Sequence, residues 1–238
     1  MERRDHKPWT LFGIPLKIDT SWFFVAAFVA WSLGSGYFPA RYPGFPSAVY
    51  WAMGAAAALL LFACVLLHEL GHSLMATGHG IPVARVTLFM FGGVAEIAGD
   101  PRRPSVELKI TLAGPVVSGL IAGGCFAASA AMPLHNPQQL VAVAILRYLA
   151  MINTGLLLFN LLPGFPLDGG RVLRAVLWAW TGNLRQATRI ASLIGVGLGL
   201  GLLGLGMWGL VTGHWGGGVW YILLGFFLRD SALASYRR

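Results

Sequence analysis

Charged residues occur in islands along this chain. Residues 42–67, 110–146 and 190–228 contain no Asp, Glu, Lys or Arg, and each stretch exceeds the roughly 20 apolar residues that one membrane span requires. Apolar length and intervening turns predict about six helices, at residues 20–38, 48–76, 108–131, 138–162, 188–212 and 217–230. Two turns rich in proline and polar residues, "PARYPGFPS" (39–47) and "MPLHNPQQ" (132–139), separate the first helix from the second and the third from the fourth. Residues 81–97, "IPVARVTLFMFGGVAEI", break the helical pattern. They are rich in β-branched and aromatic residues, with Pro82 and the pair Gly92-Gly93 discouraging helix. The expected architecture is an all-α integral membrane protein, one polytopic domain over residues 1–238, with a small membrane-associated β hairpin or sheet after the second helix. Open strand edges are not viable in lipid, so the hairpin belongs at the membrane face or where protein covers it.

Composition strengthens this reading. The 238 residues are 56% hydrophobic and 11% charged, against about a quarter charged in ordinary soluble domains. The net charge of +8 could suggest nucleic acid, but no dense basic tract interleaved with aromatics is present. Lys and Arg instead fall between apolar segments. With the N-terminus in the cytosol, 15 of the 17 lie on the cytosolic side, leaving only Arg41 and Arg147 opposite. That asymmetry predicts a multi-pass protein of the cytoplasmic membrane with both termini cytosolic. The basic leader at residues 1–7 precedes an apolar run without a small-x-small cleavage site, so the run is expected to be a retained first span. Cys64 and Cys125 both lie in apolar segments and form no C-x-x-C pair.

Ionisable groups interrupt the second oily helix. His68-Glu69-Leu70-Gly71-His72 is H-E-x-x-H. On a helix, positions i and i+4 share one face. Two imidazoles so placed can bind one Zn²⁺, with the glutamate positioned as a general base. The bland alternative is a chance pentapeptide whose histidines only hydrogen-bond. Polar groups in the middle of a span are costly, about 2.5–3.5 kcal/mol for a charge, and a metal satisfies all three together. The helix direction places the pair toward the cytosolic side.

A hydrolytic zinc site takes a third protein ligand and keeps an open position. His79, His135 and His214 lie near loops or segment ends, and Glu96 and Glu107 read as solvated. Asp168 sits in "FNLLPGFPLDGGRV" (159–172), where Pro163 and Pro166 end regular helix and Gly169-Gly170 permit a sharp turn. Such a segment can hold a carboxylate at membrane depth, or it can be a plain turn with a capping Asp.

H-E-x-x-H in an apolar helix followed by N-x-x-P-x-x-P-x-D-G-G resembles the site-2 protease family of intramembrane zinc metalloproteases, in its compact six-span prokaryotic form. "LAGPVVSG" (112–119) resembles the family's Ala-Gly-Pro stretch, and Gly92-Gly93 its membrane-associated strand region. The resemblance implies one zinc ion held by His68, His72 and Asp168, with Glu69 as catalytic base. It implies substrate contacts from Asn160 and, further, from Gly92 and Gly93; Asn153, two turns before Asn160 on the same helix, is read as an added contact from its spacing. It also implies cleavage of membrane-spanning substrates such as an anti-sigma factor, a tethered regulator or a signal-peptide remnant. We expect neither a PDZ nor a CBS domain within these residues. A metal transporter and an inactive membrane scaffold are the competing functions. A carrier calls for several ligand sets along a path, and an inactive scaffold often lacks the Glu or a ligand.

Two further expectations concern packing. Gly197 and Gly201 are read as a close-packing face of the fifth helix, with a flexible gate for substrate or water as the alternative. Arg171 and Arg174 are read as tuning the site or anchoring the cytosolic end.

Overall fold

The computed structural model describes residues 9–90, 92–99 and 101–236. Arg3, Arg4, Lys7, Arg237 and Arg238, which contribute to the predicted orientation, lie outside these residues. The chain divides into two compact units, residues 1–100 with 116–157, and residues 101–115 with 158–238.

The first unit holds β1 (Trp9–Leu11), β2 (Ile14–Ile18), α1 (Thr20–Arg41), α2 (Ser47–Gly78), β3 (Val83–Phe89) and β4 (Gly92–Ile97). It also takes the second half of α3 (Pro104–Ala131) and most of α4 (Pro137–Asn160). The second unit holds the first half of α3, then α5 (Asp168–Thr181), α6 (Leu184–Val211) and α7 (Trp215–Tyr236). The units divide α3 beside Pro115, a proline inside the helix.

Five helices, α1, α2, α3, α4 and α6, are long and apolar enough to cross a membrane. The sixth expected span forms as α7 but falls outside that set. Three glycines at 216–218, the polar tips of Trp220 and Tyr221, and the Arg229–Asp230 pair make it less apolar. α5 has no counterpart among the expected elements. It is a short amphipathic helix, and its length and mixed composition carry no spanning signal.

Asp19 caps α1, its Oδ1 accepting from Ser21 N at 2.9 Å and Ser21 Oγ at 2.6 Å. α1 crosses α2 at two glycines. A Cβ on Gly54 would stand 2.5 Å from Ala30 O and 2.8 Å from Gly34 N, so only glycine lets the backbones approach this closely. α2 runs for 32 residues, about 48 Å at 1.5 Å per residue. That exceeds the roughly 30 Å hydrocarbon layer.

The expected hairpin forms as β3 and β4, but within a larger mixed sheet of order β1-β2-β3-β4. β1 and β2 form a second hairpin through Phe12-Gly13, both at positive φ. β2 then pairs in parallel with β3, Leu16 opposite Val86. This pairing joins residues some 70 positions apart, and no local pattern announces it. The sheet packs on α2 through the buried cluster Ile14, Leu70 and Val86, which seats it against the helix turn that carries H-E-x-x-H.

In the second unit the expected role of the α6 glycines falls to other positions. Gly197 and Gly201 face open space, whereas Gly199 and Gly206 meet α7. A Cβ on Gly199 would lie 2.9 Å from Gly225 O, and one on Gly206 would lie 2.8 Å from Gly218 O. Gly169 and Gly170 also act differently from expectation. Neither is at positive φ. They lie in the first turn of α5, where a Cβ would overlap the carbonyls of the 161–164 turn. Close approach is what requires glycine here.

Candidate metal centre

His68 and His72 lie on one face of α2, buried to 2% and 5% exposure. Their Nε2 atoms face each other at 3.2 Å, and the rings meet edge to face with centroids 4.9 Å apart. Two neutral Nε2 lone pairs this close repel unless a cation lies between them. Two nitrogens bound at about 2.0–2.1 Å to one tetrahedral zinc are separated by roughly this distance. The pair therefore fits a zinc ion.

The other side of the His68 ring also has a partner. Its Nδ1 lies 2.9 Å from Ser118 Oγ, and Ser118 is fully buried. With Nδ1–H donating to Ser118, the Nε2 lone pair is left for a metal. This is the usual outer-shell arrangement of a ligating histidine. Nothing local in the sequence singles out Ser118 for this part. It lies 50 positions from His68, and the only signal is its place in the "LAGPVVSG" stretch.

Glu69 is half-buried, on the sheet side of the histidine face. The backbone of β4 lies against it at Gly93, where a Cβ would overlap the Glu69 side chain. Gly92 has a different requirement, a φ of +133° at the start of β4. The two glycines thus do separate jobs, one shaping the turn and one leaving room for a carboxylate. Asn153, in the same unit, is fully buried, and its Nδ2 donates to Leu149 O at 2.8 Å.

Asp168 and Asn160 belong to the second unit. Asn160 closes α4 and Asp168 opens α5; both are half-buried. The N-terminal end of α5 favours a carboxylate there. The turn before it is tied to α6 by Phe165 N donating to Ala191 O at 3.2 Å. Arg174, two turns into α5, lies over the Phe165 ring with its guanidinium carbon 5.2 Å from the centroid. It is clamped by Glu107, its Nε donating to Oε1 at 2.6 Å and its Nη2 to the same oxygen. The solvated reading of Glu107 is therefore corrected. This carboxylate is 1% exposed and ion-paired, which sequence position alone does not disclose. Glu96 is exposed and pairs with Arg85 at 2.7 Å. That pairing raises the Arg85 pKa further above its ordinary value. His79, His135 and His214 are exposed.

Residues 56–140 and 130–203 match the model of peptidase family M50. The chain belongs to peptidase family M50. Membership agrees with the site-2 protease resemblance carried by the two motifs. The chain is 41% identical over 228 residues to a putative zinc metalloprotease of Synechocystis, covering 96% of this chain and 59% of that protein. It is 37% identical over 220 residues to putative zinc metalloprotease Rip3 of Mycobacterium tuberculosis, covering 92% and 56%. The chain thus spans less than two thirds of either relative. Among solved structures it resembles the site-2 protease from Methanocaldococcus jannaschii, with a TM-score of 0.64 and 29% identity over 97% of this chain and 94% of that one. The five apolar helices and the M50 family together make this a multi-pass membrane protein.

Proposed function

We propose that this protein is an intramembrane zinc endopeptidase that cuts peptide bonds within membrane-spanning segments of other proteins. The observation that carries the reading is the facing Nε2 pair of His68 and His72 beside Glu69, buried within an apolar helix of spanning length. His68 and His72 would hold one zinc ion, with Asp168 as third ligand. Asp168 joins the set on the strength of the N-x-x-P-x-x-P-x-D-G-G motif, which lies inside the residues that match family M50. A transporter would need successive sets of this kind.

Bound zinc supplies Lewis acidity, polarising a carbonyl and making water nucleophilic at neutral pH. Glu69 takes a proton from the attacking water as its oxygen bonds to the scissile carbonyl carbon. It then returns a proton to the amide nitrogen as the C–N bond breaks. Ser118 holds the His68 ring in its ligating tautomer. The carboxamide of Asn160 is offered to the substrate backbone near the reacting carbonyl.

A substrate helix hides its peptide bonds and must unwind before cleavage. β4 is an outer strand of the sheet, and an extended segment can add to it by backbone pairing. Val86 and Leu88 are buried on β3, an inner strand, so proline there tests sheet folding. Proline at Val94 and at Ala95 tests capture, because adjacent strand residues direct their N–H groups to opposite edges. The substrates are single-span proteins such as an anti-sigma factor, a tethered regulator or a signal-peptide remnant. The enzyme would sit in the cytoplasmic membrane with both termini and the cleavage site on the cytosolic side.

The test compares wild type with Glu69→Gln, purified in detergent, for zinc content and for cleavage of a model transmembrane substrate. Zinc in both proteins, with cleavage lowered by about 10²–10⁴ in the variant, supports the reading. Equal cleavage refutes the role of Glu69, and zinc flux into liposomes without cleavage refutes the protease reading.

A further inference from the structure

Arg147 is the one charged residue between Lys109 and Asp168. It lies ten residues into α4, about 15 Å from the helix start, on an exposed face. Among the described residues no carboxylate pairs with it. An unpaired cation within a span is costly and, as a rule, has a functional partner.

Arg147 lines a groove of about 680 Å³ between α4 and the second half of α3. The groove has a direction. A Cβ on Gly119 would lie 3.7 Å from Leu157 Cδ2, which pairs these two positions across consecutive helices joined by a short turn. Ten residues nearer the connecting turn, forward along α3 and back along α4, Arg147 comes level with Ser129. The polar end thus holds Arg147 and Ser129, and the track between runs past Gly123, where a Cβ would meet nothing within 4 Å. Ten residues of helix span about 15 Å, half the hydrocarbon thickness and the reach of one acyl chain. The volume spread over that length has a cross-section of about 45 Å², too narrow for a helix at least 10 Å across.

We propose that this groove binds one anionic phospholipid, with its phosphate on Arg147 and an acyl chain along the track past Gly123. The Arg147 stem is long enough to lift the guanidinium toward the headgroup layer while its methylenes stay in the groove. The bound lipid neutralises the cation and fills space that α3 leaves open. This inference does not depend on the protease reading, since it uses neither His68, Glu69, His72 nor Asp168.

The full chain is placed in phosphatidylcholine nanodiscs carrying a trace of acyl-diazirine phosphatidylglycerol or, in parallel, acyl-diazirine phosphatidylcholine. After photolysis, labelled peptides are mapped. The expected result is labelling on α3 and α4, at least five-fold stronger with phosphatidylglycerol. Arg147→Gln should abolish the preference and Arg147→Lys keep it. Gly123→Phe, which fills the track, should lower labelling by both probes at least five-fold. Equal labelling by the two lipids, or labelling unaffected by Gly123→Phe, overturns the proposal. So does displacement of the label by a model transmembrane peptide that crosslinks in the same groove.

Discussion

Gly93 of β4 lies so close to Glu69 of α2 that a single methyl group at position 93 would overlap the glutamate side chain. The strand backbone is therefore a wall of the site, and its shape depends on an absent Cβ. Gly93→Ala should displace the Glu69 carboxylate by about an ångström. We expect cleavage to fall on the order of 10²-fold with zinc content unchanged. Unaltered turnover in this variant would show that Glu69 reaches its working position without the strand.

With Nδ1–H donating to Ser118 Oγ, Nε2 is the ring nitrogen of His68 that would face the proposed metal. Ser118→Ala should weaken zinc binding by about 10–100-fold, read by competition with a chromogenic chelator. The thermal midpoint in excess zinc should stay near that of wild type, since saturating metal restores the folded state. Wild-type zinc affinity in this variant would reduce Ser118 to a packing residue.

Glu107 and Arg174 form a buried ion pair on which the Phe165 turn rests. Glu107→Ala leaves a half-buried guanidinium without its carboxylate, a loss toward the lower end of about 3–5 kcal/mol. The double variant Glu107→Gln/Arg174→Gln should recover part of that loss, because it removes the stranded charge. Thermal denaturation of the four members of the cycle measures the coupling, and additive losses would contradict it.

The Asp19 carboxyl is held below its ordinary pKa, first by the Ser21 hydroxyl and then by the Ser21 backbone N–H. A folded-state pKa lower than the unfolded one stabilises above the unfolded value, and the benefit is lost as pH falls through the folded value. Ser21 Oγ also accepts from Met90 N at 3.2 Å, so the cap ties α1 to the β3–β4 turn. Asp19→Ala should lower the thermal midpoint at neutral pH, and the gap from wild type should close in the acid range. A gap that persists in acid would mean that the charge contributes nothing.

Much of the site is legible in the chain itself because its information is local. The four-residue spacing of His68 and His72 becomes a shared face through helix geometry alone. The hairpin at residues 81–97 is likewise written in β-branched residues and two glycines. Glu107 reads as solvated in the sequence because its burial depends on Arg174, 67 positions away. Gly197 and Gly201 mislead because glycine spacing along α6 does not say which face meets α7.

The amino-acid sequence by itself determined the membrane class, the main apolar spans and the chemistry of H-E-x-x-H. These rest on apolar run length and on the fixed rise and turn of one helix. Only the tertiary structure decided that β2 pairs in parallel with β3, that Ser118 orients His68, and that Gly93 makes room for Glu69. It also decided that Arg147 lines a groove. Each of these joins residues far apart in the chain, and packing, not local propensity, brings such residues within bonding distance.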